Sequence, residues 1–230
     1  MGYPDGQIMR FDESLPLINR IVECTDLPVS VDIEAGYSKS VVGVVETAKK
    51  VLETGAVGIN LEDSTGDCFN DSSKTLYDTP IQCEKISAIR EMADKKNIHL
   101  VINARTDAFL LPNKNLKEKI ELAVERAISY NKAGADSIFI PDVGDLNKEI
   151  IKTLIQKIDA PLNIIAGENI PTIAELEQIG VSRVSFGPRM MRAAFDQIRN
   201  IAREIKTTGS CIQMNNVKTT YSEVNKWFEK

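Results

Sequence analysis

Four acidic residues follow two apolar, β-branched runs early in the chain, and their positions indicate metal or acid–base chemistry. Asp32 and Glu34 close the first run, and Glu62 and Asp63 close the second. Such runs are typical of buried parallel strands. Asp32 and Glu34 are separated by one residue, so on a strand their side chains lie on the same face. Glu62, on the neighbouring strand, would lie beside them, since paired strands are about 4.8 Å apart.

We predict that Asp32, Glu34 and Glu62 hold one divalent cation. Carboxylates without histidine or thiolate ligands favour Mg²⁺, with Mn²⁺ as the other option, over zinc. His99 is the single histidine of the chain, which argues against a multi-histidine metal centre and removes the usual general base. The alternative is that these carboxylates are polar strand ends that face solvent or pair with Arg and Lys side chains.

A third apolar run ends in a cation and another acid, Arg105 and Asp107. A guanidinium binds a carboxylate or a phosphate through two parallel hydrogen bonds. Arg105 is therefore predicted to hold a small anionic substrate beside the metal. The alternative is a structural ion pair between Arg105 and either Glu62 or Asp107.

The elements that must position these residues alternate along the chain. Apolar spacing predicts six strands, near residues 29, 57, 99, 137, 162 and 183, each followed by or separated by a helix. This alternation is typical of a parallel sheet built from right-handed βαβ units. The predicted helices span 11–24, 40–53, 81–95, 116–131, 148–158, 172–179, about 190–206 and 219–230.

Chemistry at the strand ends favours an α/β fold of the TIM-type (β/α)8 barrel. A doubly wound open sheet is the competing fold, but its Gly-rich dinucleotide loop is absent from the sequence. A TIM barrel has eight strands, so we expect that the first two β/α units are missing from the N-terminus. The 230 residues suit one α/β-barrel domain over 1–230, with C-terminal helices from about 190.

Composition argues against several other classes of protein. The net charge of -5 and a pI near 5.1, without a basic block, do not suit a nucleic-acid binder. No signal peptide and no apolar run of about 20 residues is present, which predicts a cytoplasmic protein with no membrane association. The four cysteines form no CxxC pair and indicate neither a zinc site nor a disulfide framework.

Seven short motifs, taken together and in this order, are similar to those of a known family. The motifs are Gly2–Gly6, Val31–Tyr37, Gly58–Asp63, Asn103–Asp107, Gly134–Phe139, Pro161–Asn163 and Gly180–Gly187. They resemble the isocitrate lyase/phosphoenolpyruvate mutase superfamily, particularly its short-chain members, and cover nearly all of residues 1 to 200.

The resemblance implies chemistry at C3 of a pyruvate enolate held on Mg²⁺. In it, Asp32 and Glu34 match the paired acidic metal ligands, and Glu62 matches a further acidic ligand that can act through water. Arg105 matches the arginine that binds the substrate carboxylate and stabilises the enolate. The metal and this guanidinium would together supply the dominant electrostatic stabilisation.

The resemblance also assigns residues beyond the metal site. Asp5 matches the catalytic aspartate of a loop after the second family strand, next to the reacting group. Asn163 and Arg192 look like later substrate-binding positions. Members of the family tend to form tetramers in which the last helix packs on a neighbour, so a homo-oligomer, either dimer or tetramer, is expected.

The chain departs from the family between Ser64 and Tyr77. Isocitrate and methylisocitrate lyases carry a Cys-Gly-His motif there, whose cysteine serves as acid and base, and this chain does not. Cys68 could substitute, although a lone thiol without a neighbouring histidine is more often incidental. The segment does not match the mutase loop either, which leaves Lys74 and Tyr77 as loop candidates. In the family, the first two β/α units, which we expect to be missing here, normally supply a Ser-Gly backbone pocket.

The sequence thus predicts a Mg²⁺-dependent lyase that cleaves a carbon–carbon bond in, or decarboxylates, a small 2-oxo or 2-hydroxy carboxylate. The enzymatic alternative is a phosphorus–carbon bond enzyme of the phosphoenolpyruvate mutase or phosphonopyruvate hydrolase type. A second alternative is a truncated, inactive barrel that only binds a ligand or a partner subunit.

Overall fold

The computed structural model describes residues 2–4, 6–64, 75–142 and 144–229. The chain divides into two compact units, residues 1–185 and residues 186–230. The first unit contains the sheet, the predicted metal ligands and Arg105. The assignment of 1–230 to one domain stays a prediction.

The first unit is built on a parallel sheet whose strands follow one another in sequence order. Each strand pairs with the strand before it and the strand after it, from first to last. A doubly wound sheet instead reverses its strand order at a switch point. The described strands are β1 Ser30–Asp32, β2 Gly58–Glu62, β3 Val101–Arg105, β4 Ser137–Ile140, β5 Leu162–Ile165 and β6 Arg183–Ser185.

This uninterrupted order confirms the predicted α/β class with parallel strands, and its six strands form a half-barrel of the TIM type. The closure into eight strands and the absence of two units stay predictions. Helices connect the strands at the predicted places: α1 Phe11–Cys24, α2 Val41–Glu53, α3 Thr79–Lys95, α4 Leu116–Lys132, α5 Lys148–Lys157 and α6 Ile173–Gln178.

Local sequence explains where several helices begin. Ser40 caps α2 by accepting a hydrogen bond from the Gly43 N–H. Asn115 and Glu118 form a reciprocal capping box at the start of α4. Most predicted helix ends agree with the observed ends to within two residues, which is the ordinary uncertainty of helix boundaries.

The two faces of the sheet have opposite character, because side chains alternate along each strand. One face is apolar and packs on the helices; its fully buried residues include Ile33, Ile59, Ile102, Ile138 and Ile164. The other face carries mostly polar side chains, in two rows that follow the strand register. The rows are Asp32, Asn60, Asn103 and Ser137, and Glu62, Arg105, Phe139, Asn163 and Arg183.

The second unit contains three helices among its described residues: α7 Arg189–Thr208, α8 Ile212–Asn215 and α9 Tyr221–Lys226. α7 matches the predicted helix from about 190, and it ends at Gly209, whose positive φ of 70° is typical of a left-handed helix cap. The short α8 was not predicted. In the part of the chain that the structure describes, no helix combines the length and apolar character that a bilayer crossing requires.

Candidate active site

A tight turn after β1 places the first two predicted ligands at the carboxyl edge of the sheet. The Asp32 Oδ1 atom accepts a hydrogen bond of 2.8 Å from the Glu34 N–H, and the Gly36 N–H donates to the Ile33 carbonyl at 2.7 Å. Glu34 itself has a positive φ of 47°. A side chain at position 36 would lie 2.7 Å from both γ carbons of Val44, so glycine is required there.

Glu34 is joined to the neighbouring strand through its main chain. The Glu62 N–H donates to the Glu34 carbonyl at 2.8 Å, which extends the pairing of β1 and β2 past the last residue of β1. The Glu34 carboxylate accepts a hydrogen bond of 2.9 Å from the Tyr37 hydroxyl. The predicted ligands Asp32, Glu34 and Glu62 therefore lie on adjacent strand ends.

Glu62, Arg105 and Asp107 form a buried ion-pair cluster on the polar face. The Arg105 Nη1 atom lies 2.7 Å from the Glu62 Oε2 atom. Its Nε and Nη2 atoms donate to the two carboxylate oxygens of Asp107 at 2.6 and 3.0 Å. Phe139 lies beside the guanidinium, with its ring centre 5.9 Å from the Arg105 Cζ atom. The structural ion pair that the sequence left open for Arg105 is thus present, with both carboxylates.

Burial and like charge act together on Glu62. Burial raises the pKa of Glu62 to about 7, Arg105 opposes the rise, and the negative charges of Asp107 and Asp32 add to it. Burial lowers the pKa of Arg105, whereas the charges of Asp107, Glu62 and Asp32 raise it. The three charges outweigh burial, so the pKa of Arg105 lies above its usual value. Asp32 is therefore close enough to act electrostatically on both groups, and acids outnumber guanidinium groups in this part of the described chain.

The acidic residues fit a hard divalent cation by donor type. All are oxygen donors, and Mg²⁺ usually takes one or two protein carboxylates and keeps several waters. Among the described residues, no group of three or more His, Cys, Asp and Glu is already arranged as a ligand set. The Glu62 carboxylate faces Arg105 and the Ser64 hydroxyl, which donates to it at 2.6 Å. Asp32 and Glu34 are thus the candidates for direct contact with a metal, and Glu62 for contact through water.

Asn163 lies in the same row of the polar face as Glu62 and Arg105. It is fully buried, and its Nδ2 atom donates to the Ser185 hydroxyl at 3.1 Å. Its Oδ1 atom has no hydrogen-bond partner among the residues that the structure describes. A buried acceptor without a partner is costly and suits a site that receives a ligand.

The structure does not test the remaining predicted positions. Asp5, Cys68 and Lys74 lie outside the described residues. Arg192 lies in α7 of the second unit, which is described by itself. Their assignments stay predictions.

Two residues that the sequence left unassigned, Arg126 and Lys85, lie on helices and contact the chain at the carboxyl ends of β1 and β2. Arg126 of α4 pairs with Asp63, with its Nη1 atom 3.0 Å from the Asp63 Oδ2 atom. Lys85 of α3 is buried, donates to the Ala35 carbonyl at 3.4 Å and lies 3.5 Å from the centre of the Tyr77 ring. Burial lowers the pKa of Lys85 to about 8, although Asp63 opposes the change.

Asp63, the fourth acidic residue at the two strand ends, does not face the same side of the sheet as Glu62. It follows Glu62 directly, so its side chain lies on the opposite face of the sheet and is bound by Arg126 and Tyr130. The period of two along a strand was the sequence feature that could have separated the two carboxylates.

Comparison with known proteins identifies the family. The model of the phosphoenolpyruvate phosphomutase family matches residues 1–206. The chain belongs to this family. It is thereby a member of the isocitrate lyase/phosphoenolpyruvate mutase superfamily, which confirms the resemblance seen in its motifs.

Members and relatives of the family include carbon–carbon lyases. The chain is 29% identical over 236 residues to 2-methylisocitrate lyase of Escherichia coli, an alignment that covers 98% of this chain and 76% of the relative. It is 27% identical to 2,3-dimethylmalate lyase of Eubacterium barkeri over 232 residues, covering 98% of this chain and 76% of the relative. The predicted lyase-like enzyme class is confirmed at the level of these homologues.

A solved structure supports the fold. Phosphoenolpyruvate phosphomutase from Streptomyces platensis superposes with a TM-score of 0.82 at 19% identity, covering 98% of this chain and 78% of that chain. At this identity the likeness concerns the fold alone, and it agrees with the half-barrel of sequence-ordered strands.

Proposed function

We propose that this protein is a divalent-metal-dependent lyase that cleaves a carbon–carbon bond in, or decarboxylates, a small 2-oxo or 2-hydroxy carboxylate. The observation that carries the proposal is the buried cluster of Glu62, Arg105 and Asp107, which lies next to Asp32 and Glu34 at the carboxyl ends of adjacent parallel strands. In barrels of this type, catalytic residues lie at this edge of the sheet.

In this proposal Arg105 binds the substrate carboxylate. Asp107 fixes the direction of the guanidinium through two hydrogen bonds, and Glu62 holds its Nη1 atom. Phe139 lies on one side of the guanidinium, and the Arg105 side chain is largely buried. A guanidinium that is oriented before the substrate arrives loses little free energy to reorganisation when negative charge develops on the substrate.

The other predicted residues have distinct parts in the proposal. Asp32 and Glu34 hold Mg²⁺ or Mn²⁺, with Glu62 acting through water. A bound divalent cation supplies Lewis-acid stabilisation of developing negative charge. Asn163 accepts a hydrogen bond from a substrate hydroxyl through its Oδ1 atom. From the family resemblance, Asp5 acts next to the reacting carbon and Arg192 binds the substrate.

The family model favours a second candidate function. Because that model is described as phosphoenolpyruvate phosphomutase, a phosphorus–carbon bond enzyme of the mutase or phosphonopyruvate hydrolase type is the alternative. Arg105 would bind the carboxylate of phosphonopyruvate in the same way, since the charged cluster recognises a carboxylate whatever group lies beyond it.

Product analysis separates these functions. The protein, supplied with Mg²⁺, is incubated separately with oxaloacetate, 2-methylisocitrate, 2,3-dimethylmalate and phosphonopyruvate, and products are identified by NMR. We expect a 2-oxo acid or oxalate from at least one substrate that lacks phosphorus. Turnover of phosphonopyruvate alone would overturn the lyase assignment. Binding of oxalate without any turnover would favour a barrel that only binds ligands.

The expected homo-oligomer belongs to the same proposal. α7 carries Met190, Met191, Phe195 and Ile198, spaced as one apolar helical face. We propose that copies of the chain associate as a dimer or tetramer, and light scattering coupled to size-exclusion chromatography would measure the mass. A monomer across the micromolar range would contradict this part of the proposal.

A further inference from the structure

Behind the charged cluster lies a second buried group, formed by Asp63, Arg126 and Tyr130, which is called the tether below. Asp63 is fully buried at the end of β2, and its Oδ2 atom accepts hydrogen bonds from the Arg126 Nη1 atom at 3.0 Å and from the Tyr130 hydroxyl at 2.7 Å. The Arg126 Nη1 atom also donates to the Tyr130 oxygen at 2.8 Å. The three side chains therefore close a triangle between β2 and α4.

The tether is connected to Arg105 through one main-chain hydrogen bond. The second carboxylate oxygen of Asp63, Oδ1, accepts the Asp107 N–H at 2.9 Å. Asp107 in turn binds Arg105 with both of its carboxylate oxygens. The place of Asp107, and through it the direction of the guanidinium, thus depends on where Asp63 is held.

The tether is also connected to Glu62 through the chain that follows β2. The Arg126 Nη2 atom donates to the Tyr77 carbonyl at 2.9 Å, and the Tyr77 N–H donates to the Asp63 carbonyl at 2.8 Å. Ser64 forms an antiparallel bridge with Leu76, and its hydroxyl donates to the Glu62 carboxylate. Arg126 therefore holds Tyr77, whose neighbour Leu76 pairs with Ser64. Through this pairing it positions the Ser64 hydroxyl that binds Glu62.

Stability alone gives little reason for a charged tether. A buried ion pair is often no more stabilising than apolar side chains of the same volume. Apolar side chains could not, however, hold the Asp63 carboxylate and the Tyr77 carbonyl at fixed distances from α4. The planar guanidinium of Arg126 reaches Asp63 through its Nη1 atom and the Tyr77 carbonyl through its Nη2 atom, an arrangement that a lysine ammonium cannot reproduce.

We propose that Arg126 is a positioning residue of the active site, which acts through Asp63 and Asp107 on Arg105 and through Ser64 on Glu62. The inference rests on the proposed function in one respect, that Arg105 binds the substrate carboxylate. Arg126 does not contact the substrate in this arrangement. Its effect is to keep the carboxylate-binding guanidinium in one orientation.

Two conservative variants test the proposal. Arg126→Lys keeps the positive charge but loses the planar guanidinium with its two donor nitrogen atoms. Tyr130→Phe removes the hydroxyl that binds Asp63 and Arg126. The matched control is Ile151→Val, because Ile151 is fully buried in α5 and contacts the same core without a polar side chain. Thermal unfolding of all three proteins identifies any general loss of stability, so that the variants are compared at temperatures where each is folded.

The first readout is the binding of oxalate in the presence of Mg²⁺, measured by calorimetry. We expect both tether variants to bind oxalate about tenfold more weakly than the unchanged protein, which corresponds to about 1.4 kcal/mol. Ile151→Val should bind as the unchanged protein does. Equal binding by the tether variants and the control would overturn the proposal.

The second readout does not depend on the substrate. The Nε–H proton of Arg105, bonded to Asp107, should exchange slowly with solvent in NMR spectra of the unchanged protein and of Ile151→Val. It should exchange faster in the tether variants. If the unchanged protein binds no oxalate but this difference remains, the proposed function fails and the positioning role stands. If the proton exchanges equally in all variants, the positioning role fails.

Discussion

Glu62 and Asp63 are neighbours in sequence, yet they belong to regions of opposite character. Glu62 faces the polar side of the sheet, where it shares Arg105 with Asp107. Asp63 faces the helices and is bound by Arg126, by Tyr130 and by a main-chain N–H. Burial raises the pKa of both carboxyl groups. The two carboxyl groups differ in the partners that offset the unfavourable free energy of burying a charge.

The end of β2 thus carries one carboxylate toward the candidate active site and the next one toward the helices. On the helix side, each oxygen of the Asp63 carboxylate has a fixed donor, so the group is suited to holding the structure together. On the polar side, Glu62 also has a donor for each oxygen, Ser64 and Arg105, but it shares Arg105 with Asp107 and is repelled by the charges of Asp107 and Asp32. An incoming cation would offset this repulsion around Glu62, whereas Asp63 already has a guanidinium of its own in Arg126.

The largest expected difference is in stability. Asp63→Ala leaves Arg126 buried without its carboxylate partner and should lower the free energy of unfolding by about 3–5 kcal/mol. Glu62→Gln should lower it by less than about 1 kcal/mol at pH 7, since the lost charge is one that burial disfavours. Urea unfolding followed by circular dichroism measures both. Equal losses would contradict the distinction between the two carboxylates.

The next effect is on turnover. Arg105→Lys keeps a charge beside Asp107 but loses the two-pronged contact, so kcat/KM for a confirmed substrate should fall by about 10²–10³-fold. Arg90→Lys is the matched control, because Arg90 binds the Gly134 and Leu100 carbonyls near the amino ends of the strands. Its kcat/KM should change less than about twofold. An unchanged kcat/KM for Arg105→Lys would refute the assignment of Arg105.

Stability should also depend on pH through Glu62. The folded chain keeps the Glu62 proton up to about pH 7, whereas the unfolded chain releases it near the ordinary value of 4.5. The folded state therefore binds more protons between these values, and the free energy of unfolding should fall as pH rises from about 5 to 7, by about 1–3 kcal/mol. The pH series of Glu62→Gln, subtracted from that of the unchanged protein, isolates this contribution. A difference of opposite sign would mean that pairing with Arg105 outweighs burial.

The smallest expected effect concerns Ser64. Its hydroxyl lowers the pKa of Glu62, so Ser64→Ala should raise that pKa further and move the acidic limb of the activity profile to higher pH. The loss of stability should be about 1 kcal/mol. Ser87→Ala is the control, since the Ser87 hydroxyl donates to the Ala133 carbonyl at an exposed position. A profile that does not move would show that Ser64 leaves the ionisation of Glu62 unaffected.

Much of the fold could be predicted from local patterns in the sequence. The helix at 11–24 and the strand at 137–140 are observed at the predicted residues, because apolar spacing and end-forming residues are properties of short segments. The possible pairing of Arg105 with Glu62 or Asp107 was also open from the sequence, since Arg105 and Asp107 lie at the end of one strand and Glu62 at the end of its neighbour.

The tether could not be predicted, because its members are distant in sequence. Arg126 lies in the middle of α4, where its spacing indicates only a polar position among helical residues. Its meeting with Asp63 depends on how α4 packs on the sheet. The same holds for Asn163 and Ser185, whose hydrogen bond joins two strands through their register. Pairwise contacts of this kind are set by tertiary packing rather than by local pattern.

The order of the strands bears on how the chain folds. Every described strand after β1 pairs with the strand that precedes it in sequence, and each of the helices α1 to α5 packs on the helix before it or after it. Contacts between near neighbours in sequence cost little loop-closure entropy, and they form quickly. Each β/α unit that leaves the ribosome can therefore dock on a unit that is already in place, so that the chain can assemble in the order of its synthesis.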